Sequence, residues 1–217
     1  GQFARIGLKI GDELVVRAYS VVSSPFDETL EFFSIVVPEG KFTSNLQHLK
    51  VGDELYLEKI PYGYLTLARY QLPLPQDLWL LGTGTGLAPF LSMLQDFETW
   101  NNYKQINLVY SVRTQAELAY VERIQEIAES FGEGHSGFKF IPIITRDPEA
   151  ALHDRLPVLI ANGELEKAAA MQLNPETSHV MLCGNPDMVE DTKEALKARG
   201  LTMNRRGEGN IAVENYW

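Results

Sequence analysis

Leu78-Trp79-Leu80-Leu81-Gly82-Thr83-Gly84-Thr85-Gly86-Leu87-Ala88-Pro89 runs from an apolar stretch of strand length, through alternating glycines, to a proline that suits a helix start. A continuous apolar run bounded by a turn fits a strand buried on both faces, as in parallel sheets. The glycines permit close backbone approach, and the amides that open the helix face an anion. No Gly-Lys-Ser/Thr follows, which excludes a P-loop, and the full G-x-G-x-x-G spacing is not kept. Alone, the turn fits plain packing as well as a nucleotide.

Downstream, runs of strand length alternate with helical periodicity. The first helix is expected from about Pro89 to Trp100. Ile106 to Val112 forms a second strand, followed by a helix carrying Leu118, Val121, Ile124, Ile127 and Phe131 at spacings of three or four. Phe138 to Ile144 is the third strand, Leu156 to Ile160 starts a shorter helix, and Val180-Met181-Leu182-Cys183 is a fourth strand. It feeds a helix from Pro186 to Arg199 that Gly200 can terminate. This alternation predicts a doubly wound α/β parallel sheet, whose ligands sit outside the carboxyl ends of the strands.

Upstream the period changes. Between Phe3 and Lys59 the apolar runs are short and rich in β-branched and aromatic residues, as in Glu13 to Val22 and Leu30 to Val37. Gly11-Asp12, Ser24-Pro25, Glu39-Gly40 and Gly52-Asp53 punctuate them, which reads as antiparallel β-structure. One short helix is expected through Leu46 and Leu49, capped by Thr43 or Ser44. Gln71-Leu72-Pro73-Leu74-Pro75-Gln76 suits an extended connector. The chain therefore divides into a β-domain over 1–72 and an α/β domain over 77–217.

With 217 residues, 45% hydrophobic and 22% charged, the composition is that of a globular protein. The net charge of −10 argues against a general nucleic-acid or anionic-membrane binder. The single cysteine, Cys183, excludes an internal disulfide and an iron-sulfur cluster built by this chain, and points to an intracellular protein. No apolar stretch reaches the ~18 residues of a membrane span, and no metal site is expected.

Arg113, after Ser111-Val112, and Arg146, after Thr145, stand at strand ends, with Arg155 nine residues on. Converging there, three arginines would supply charge-assisted contacts to a phosphate dianion; separately, each is an ordinary surface arginine. Cys183-Gly184-Asn185-Pro186 leaves room for a flat ring, while Asn185 can cap the following helix. In the β-domain, Arg17-Ala18-Tyr19-Ser20 points Arg17 and Tyr19 to one face and Ser20 to the other. A tyrosine ring can stack on a flavin, and an arginine can neutralise a pyrophosphate. Gly40-Lys41-Phe42-Thr43 offers a second anion site or an ordinary helix start.

Taken in order, Arg17-Ala18-Tyr19-Ser20, Gly40-Lys41-Phe42-Thr43, Gly82 to Pro89 and Cys183-Gly184-Asn185-Pro186 resemble the signature series of the ferredoxin-NADP reductase superfamily. Glu176 to Pro186 and the terminal Tyr216-Trp217 are similar to the bacterial ferredoxin/flavodoxin-NADP reductases in particular. The resemblance implies an antiparallel β-barrel that binds FAD, an α/β domain that binds NADP(H), and electron exchange with ferredoxin or flavodoxin. It implies that Tyr19 packs on the isoalloxazine, that Ser20 lies near flavin N5, and that Arg17, with Ala18 beside it, meets the pyrophosphate. Phe33, Ser34, Ile35 and Val36 would give main-chain contacts to the flavin, and Lys41, Phe42 and Thr43 the second phosphate contacts. Thr85 would lie where nicotinamide and flavin meet, with Cys183, Gly184 and Asn185 around the reacting ring. Arg113, Thr145, Arg146 and Arg155, with Val112 beside them, would hold the 2'-phosphate side and Asp187 the nucleoside end. Tyr216 and Trp217 would return to FAD, Trp217 stacking on its adenosine. Glu214, three residues before the carboxyl end, is a candidate proton relay or a surface glutamate.

Family members carry about two further strands before Gly1, so the barrel is expected to be truncated at its N-terminus or to have its missing edge supplied otherwise. The carriers are acidic like this chain, and Lys193, Lys197, Arg199, Arg205 and Arg206, together with Arg5 and Lys9, are candidates for a local basic docking face. A cytoplasmic monomer is expected. Two other readings stand beside the reductase: the NADH-fed reductase component of an oxygenase, and a non-catalytic flavin-binding protein.

Overall fold

The computed structural model describes residues 1–70, 76–134 and 137–215. β1 (Phe3–Ile10) and β2 (Glu13–Ser20) form an antiparallel hairpin about Gly11-Asp12, in register from Phe3 opposite Ser20 to Ile10 opposite Glu13. β3 (Tyr56–Leu57) adds to the other edge of β1. Ile6, Leu8, Val15 and Phe42 make a small core under this sheet, with α1 (Thr43–Leu46) beside it.

Two expectations for this unit change. Leu30 to Val37 does not form a ladder strand; its bridge is Val21 opposite Phe32, and Ile35, Val36 and Val37 are exposed. β-branched residues build a strand only where a neighbouring backbone accepts their hydrogen bonds, and here the pairing is the single bridge at Val21 with the Val22 amide bonding Glu31. The antiparallel ladder among the described residues therefore has three strands rather than a closed barrel. Nor does Thr43 cap α1. The N-cap position is Phe42, without a side-chain cap, and the Thr43 hydroxyl instead accepts the Val37 amide at 3.0 Å.

The larger unit is a five-stranded parallel sheet of β4 (Asp77–Thr83), β5 (Gln105–Val112), β6 (Gly137–Ile144), β7 (Ser178–Gly184) and β8 (Ile211–Asn215), in the order β6-β5-β4-β7-β8. Alternate residues of β4 feed two cores. Leu78 and Leu80 face α2 (Ala88–Leu94), α3 (Phe97–Asn102) and α4 (Val121–Gly132), whereas Trp79 and Leu81 face α5 (Leu156–Ala161), α6 (Glu164–Ala169) and α7 (Pro186–Ala198). Helices on both faces make the doubly wound arrangement. The strand order reverses between β4 and β7, so their carboxyl ends flank the crevice.

The expected single helix from Pro89 to Trp100 is two helices. Asp96 turns to an extended conformation and its carboxylate accepts the Glu98 amide at 2.9 Å, starting α3 afresh. A good N-cap outcompetes continuation of the preceding helix. α6 and β8 were not foreseen.

The two units share a core, because Val22, Leu65 and Tyr70 pack with the α/β domain's Leu78, Phe90 and Leu91. Tyr70 stacks on His179 at 3.5 Å between ring centroids and donates to the Val180 and Asn210 carbonyls. Burial holds the Tyr103 hydroxyl protonated, so it donates to His179 Nδ1 at 2.8 Å and requires a neutral imidazole. Desolvation accordingly lowers His179 from 6.5 to about 4. Unfolded chains then bind more protons between those two values, so this contribution is complete above pH ~6.5 and is lost as the pH falls toward ~4. Urea denaturation at pH 7.5 and 4.5 should show His179→Phe losing less stability on acidification than the parent, by about 1–3 kcal/mol. Equal acid losses in both proteins would refute the assignment.

Candidate functional site

At the crevice, β4 leads into a 3-10 turn, Gly84–Leu87, that passes directly against the end of β7. A Cβ on Gly86 would lie 2.2 Å from the Cys183 carbonyl oxygen, and one on Gly184 would lie 2.2 Å from Thr83 Oγ1. The same Thr83 hydroxyl accepts the Asn185 amide at 3.1 Å. Two strand-end loops are thus locked together by main-chain contact and one hydroxyl. Above Gly84, in contrast, a Cβ would meet nothing within 4 Å, so this face of the turn is open to a ligand. Asn185 caps α7, its side chain accepting from the Asp187 and Met188 amides at 3.0 and 3.2 Å. Asp187 is exposed in the first turn of that helix.

β8 brings Glu214 into register with Cys183, and Ser20 at the end of β2 donates to Glu214 Oε1 at 3.2 Å. A sequence-distant carboxyl thereby joins the β-domain to the crevice. Cys183 is 0% exposed, Ser20 is buried, and Thr85 is half-buried in the facing turn. Burial raises the Glu214 carboxyl above its ordinary range, while the Ser20 hydrogen bond pulls it back down. Ser20, Thr85, Cys183 and Glu214 therefore gather around the ends of β2, β4, β7 and β8. Glu214 is not the free surface glutamate that position alone allowed.

On the β-domain side, the Tyr19 hydroxyl lies 3.2 Å from Ser34 Oγ and its ring tilts against Phe42 at 5.9 Å. Ser34 thus belongs with Tyr19. Phe33 turns away and meets Tyr120 edge-on at 5.2 Å, while the Tyr120 hydroxyl donates to Glu31 at 2.7 Å. Ile35 and Val36 are exposed beside it. Arg17 and Ala18 are exposed, and the Arg17 guanidinium donates to the Val16 carbonyl. Lys41 pairs with Glu13, Phe42 is buried in the small core, and the Thr43 hydroxyl is taken by Val37. Glycines at the crevice and a half-buried aromatic at the end of β2 fit a dinucleotide and a flat ring.

The arginines are only partly convergent. Backbone bonds from Thr145 to Val112 at 2.9 Å and from Arg146 to Arg113 at 2.8 Å extend the β5–β6 pairing past the strand ends, so Arg113 and Arg146 are neighbours. Glu117 engages Arg113 through both the amide and the guanidinium, which lowers the carboxyl's pKa and fixes the arginine. Arg146 is exposed, and Arg155 is the exposed N-cap residue of α5. The basic face expected on α7 is largely compensated. Lys193 pairs with Glu190, Lys197 with Glu194 at 2.7 Å, and Arg199 with Glu166 at 2.6 Å; Arg5 likewise pairs with Glu58. Glu190 lies about one helical turn before Lys193, and Glu166 comes from another helix. Tyr216 and Trp217 lie outside the described residues. Thr83, Glu117 and Tyr120 were not anticipated; for Glu117 the i, i+4 spacing to Arg113 was the available signal.

Residues 80–194 match the oxidoreductase NAD-binding domain family, and residues 1–66 the oxidoreductase FAD-binding domain family. The chain is similar to the flavodoxin/ferredoxin–NADP reductase of Escherichia coli strain K12, with 41% identity over 220 residues, covering 100% of this chain and 87% of the relative. It is 42% identical over 221 residues to the ferredoxin–NADP reductase of Pseudomonas aeruginosa, covering 99% of this chain and 84% of that one. A solved ferredoxin NADP+ reductase from Neisseria gonorrhoeae, with bound FAD and NADP, superposes with a TM-score of 0.90 at 36% identity, covering 100% of this chain and 86% of its own.

Proposed function

The chain belongs to the ferredoxin/flavodoxin–NADP reductase family, and from that premise we propose that its crevice brings NADPH to an FAD held by the β-domain, for electron exchange with ferredoxin or flavodoxin. The observation that carries the reading is the meeting of Ser20 of β2 with Glu214 of β8, itself paired with Cys183 of β7, where the Gly84–Leu87 turn packs on β7 through Gly86. Held by the β-domain, FAD would supply the conversion between two-electron chemistry at the nicotinamide and one-electron exchange with the carrier. Tyr19, steadied by Ser34, supplies a flat face for the ring, and the buried Cys183 sets how deeply a nicotinamide can enter. The Glu214 carboxyl, its pKa raised by burial and moderated by the hydroxyl that Ser20 donates to it, is the group that takes up and releases a proton here. Arg17 and Lys41 stand as the phosphate contacts for FAD.

The division into an FAD domain over 1–72 and an NADP domain over 77–217 is supported by the two family matches, which leave 67–79 between them. The carriers are those of the relatives' names; a monomer in the cytoplasm remains the simplest setting for a chain with one buried cysteine. The described residues include no helix long and apolar enough to cross a membrane.

Anaerobic titration of the flavin-loaded protein with NADPH and NADH tests the reading. Bleaching at much lower NADPH than NADH supports it; preference for NADH favours the oxygenase-component reading, and no bleaching favours a non-catalytic flavin binder. Arg113 is fixed by Glu117, and Arg146 beside it is assigned to the 2'-phosphate. Arg146→Ala is expected to raise KM for NADPH by about 10-fold, as one lost charge-assisted hydrogen bond would. The same variant should leave KM for NADH nearly unchanged. Steady-state kinetics with both nucleotides check this, and an equal rise for both would remove Arg146 from the phosphate site.

A further inference from the structure

Gln95 closes α2, its main-chain amide bonding Leu91 and Ser92. Its side chain is 4% exposed and has a partner for each of its polar groups. Nε2 donates to the Val22 carbonyl at 2.8 Å and to the Leu91 carbonyl at 3.1 Å, while Oε1 accepts from Arg123 of α4 at 2.9 Å. The contact is reinforced on either side. Ser92 Oγ donates to the Ser23 carbonyl at 2.9 Å, and Ser24 Oγ to the Gln95 carbonyl at 3.1 Å. Three successive residues of the β-domain, Val22 to Ser24, are fastened to the last turn of one helix of the α/β domain.

That helix begins at the nucleotide turn. α2 follows the Gly84–Leu87 turn that contains Thr85 and Gly86, and all seven of its residues are buried, so it is a rod of about 10 Å with the crevice at one end and Gln95 at the other. Val22 lies two residues beyond Ser20, about 7 Å along an extended chain. Val22 and Ser23 also carry the neighbouring β-domain segment, since the Val22 amide donates to the Glu31 carbonyl at 2.8 Å and Ser23 Oγ accepts the Glu31 amide at 3.0 Å. The Ser20 end of β2 and the segment that begins at Glu31 are thus referenced to the helix that follows the Thr85 turn.

We propose that Gln95, with Ser92, is a positioning residue that sets the distance between the β-domain's Tyr19–Ser20 edge and the Thr85–Cys183 crevice. The proposal rests on the reading that these two edges hold the two reacting rings. Displacement of one reacting group by about 1 Å costs on the order of 100-fold in rate, so a small shift at Val22 is amplified at the site. A residue acting only on stability would lower the melting temperature and leave the rate alone.

The test compares Gln95→Met, which keeps length and volume and removes the polar bonds, with Ser92→Ala and the double variant. Flavin reduction at saturating NADPH is expected to slow about 10- to 100-fold in Gln95→Met with KM little changed, as misplacement predicts. Hydrogen exchange of the full chain without NADPH should quicken at the Val21 to Ser24 amides. The double variant should be less impaired than the product of the single effects, because both groups hold one segment. A Gln95→Met rate within about twofold of the parent, or unchanged exchange at Val21 to Ser24, overturns the proposal. Should that variant not accumulate folded, Ser92→Ala decides by the same two readouts. Parent protein that NADPH does not bleach would refute the reductase reading as well; bleaching by a parent and a variant at equal rates refutes only the role of Gln95.

Discussion

Gly86→Ala is expected to lower flavin reduction by NADPH by about 100-fold or more and to destabilise the fold by about 1–3 kcal/mol. The added Cβ would sit 2.2 Å from the Cys183 carbonyl oxygen and 2.8 Å from Gly184 Cα, so main chain meets main chain and no side chain can swing aside. The nucleotide turn must then move away from β7, taking Thr85 from Cys183. Gly184→Ala supplies an independent comparison, since φ at 184 is +137° and its Cβ would meet the Thr83 hydroxyl and backbone. Stopped-flow reduction and urea denaturation of both variants check the expectation. Near-parental rates in Gly86→Ala would show that the turn does not set the approach of the nicotinamide.

Glu214→Gln should slow turnover with the electron carrier by about 100-fold, the lower part of the range for a positioned proton donor. Because burial raises this carboxyl, the parent's rate should bend at a pH above the ordinary carboxylate range, and the glutamine variant should lack that bend. Ser20→Ala sharpens the assignment. Its hydroxyl stabilises the ionised carboxylate, so removing it should move the bend to still higher pH. Carrier reduction followed across pH 5 to 9 distinguishes these outcomes. A bend that persists in Glu214→Gln, or one that moves downward in Ser20→Ala, would assign the proton to another group.

The strand–turn–helix around Gly82 to Pro89 was legible because a buried parallel strand is apolar throughout and its turn is rich in glycine, so local chemistry suffices. The helix from Pro186 was equally plain, with Asn185 as cap and Pro186 at its start. β8 was not, because Ile211-Ala212-Val213-Glu214-Asn215 is short and its pairing with β7 depends on tertiary contact alone. That omission made Glu214 look like a surface residue. Leu30 to Val37 failed in the opposite direction: its composition favours a strand, but composition cannot supply the adjacent backbone. The expected basic face is partly compensated in a way no local window contains, because Arg199's carboxylate comes from Glu166 on another helix. Cys183 stands near the carboxyl end of β7, where the topology of such sheets puts ligands, whereas Thr85 and Ser20 entered only through the family resemblance, since Thr85 lies in the turn after β4 and Ser20 ends a strand of the antiparallel sheet.

Fastening Val22 to Ser24 onto Ser92 and Gln95 has a practical consequence for recombining relatives of this protein. A crossover in the Pro-containing connector would divide the two family domains neatly but would pair Val22 to Ser24 of one parent with α2 of the other. Chimeras joined before Val22 or after Gln95 inherit both halves of the seam from a single parent, and these are the junctions at which shuffled reductases should keep their speed.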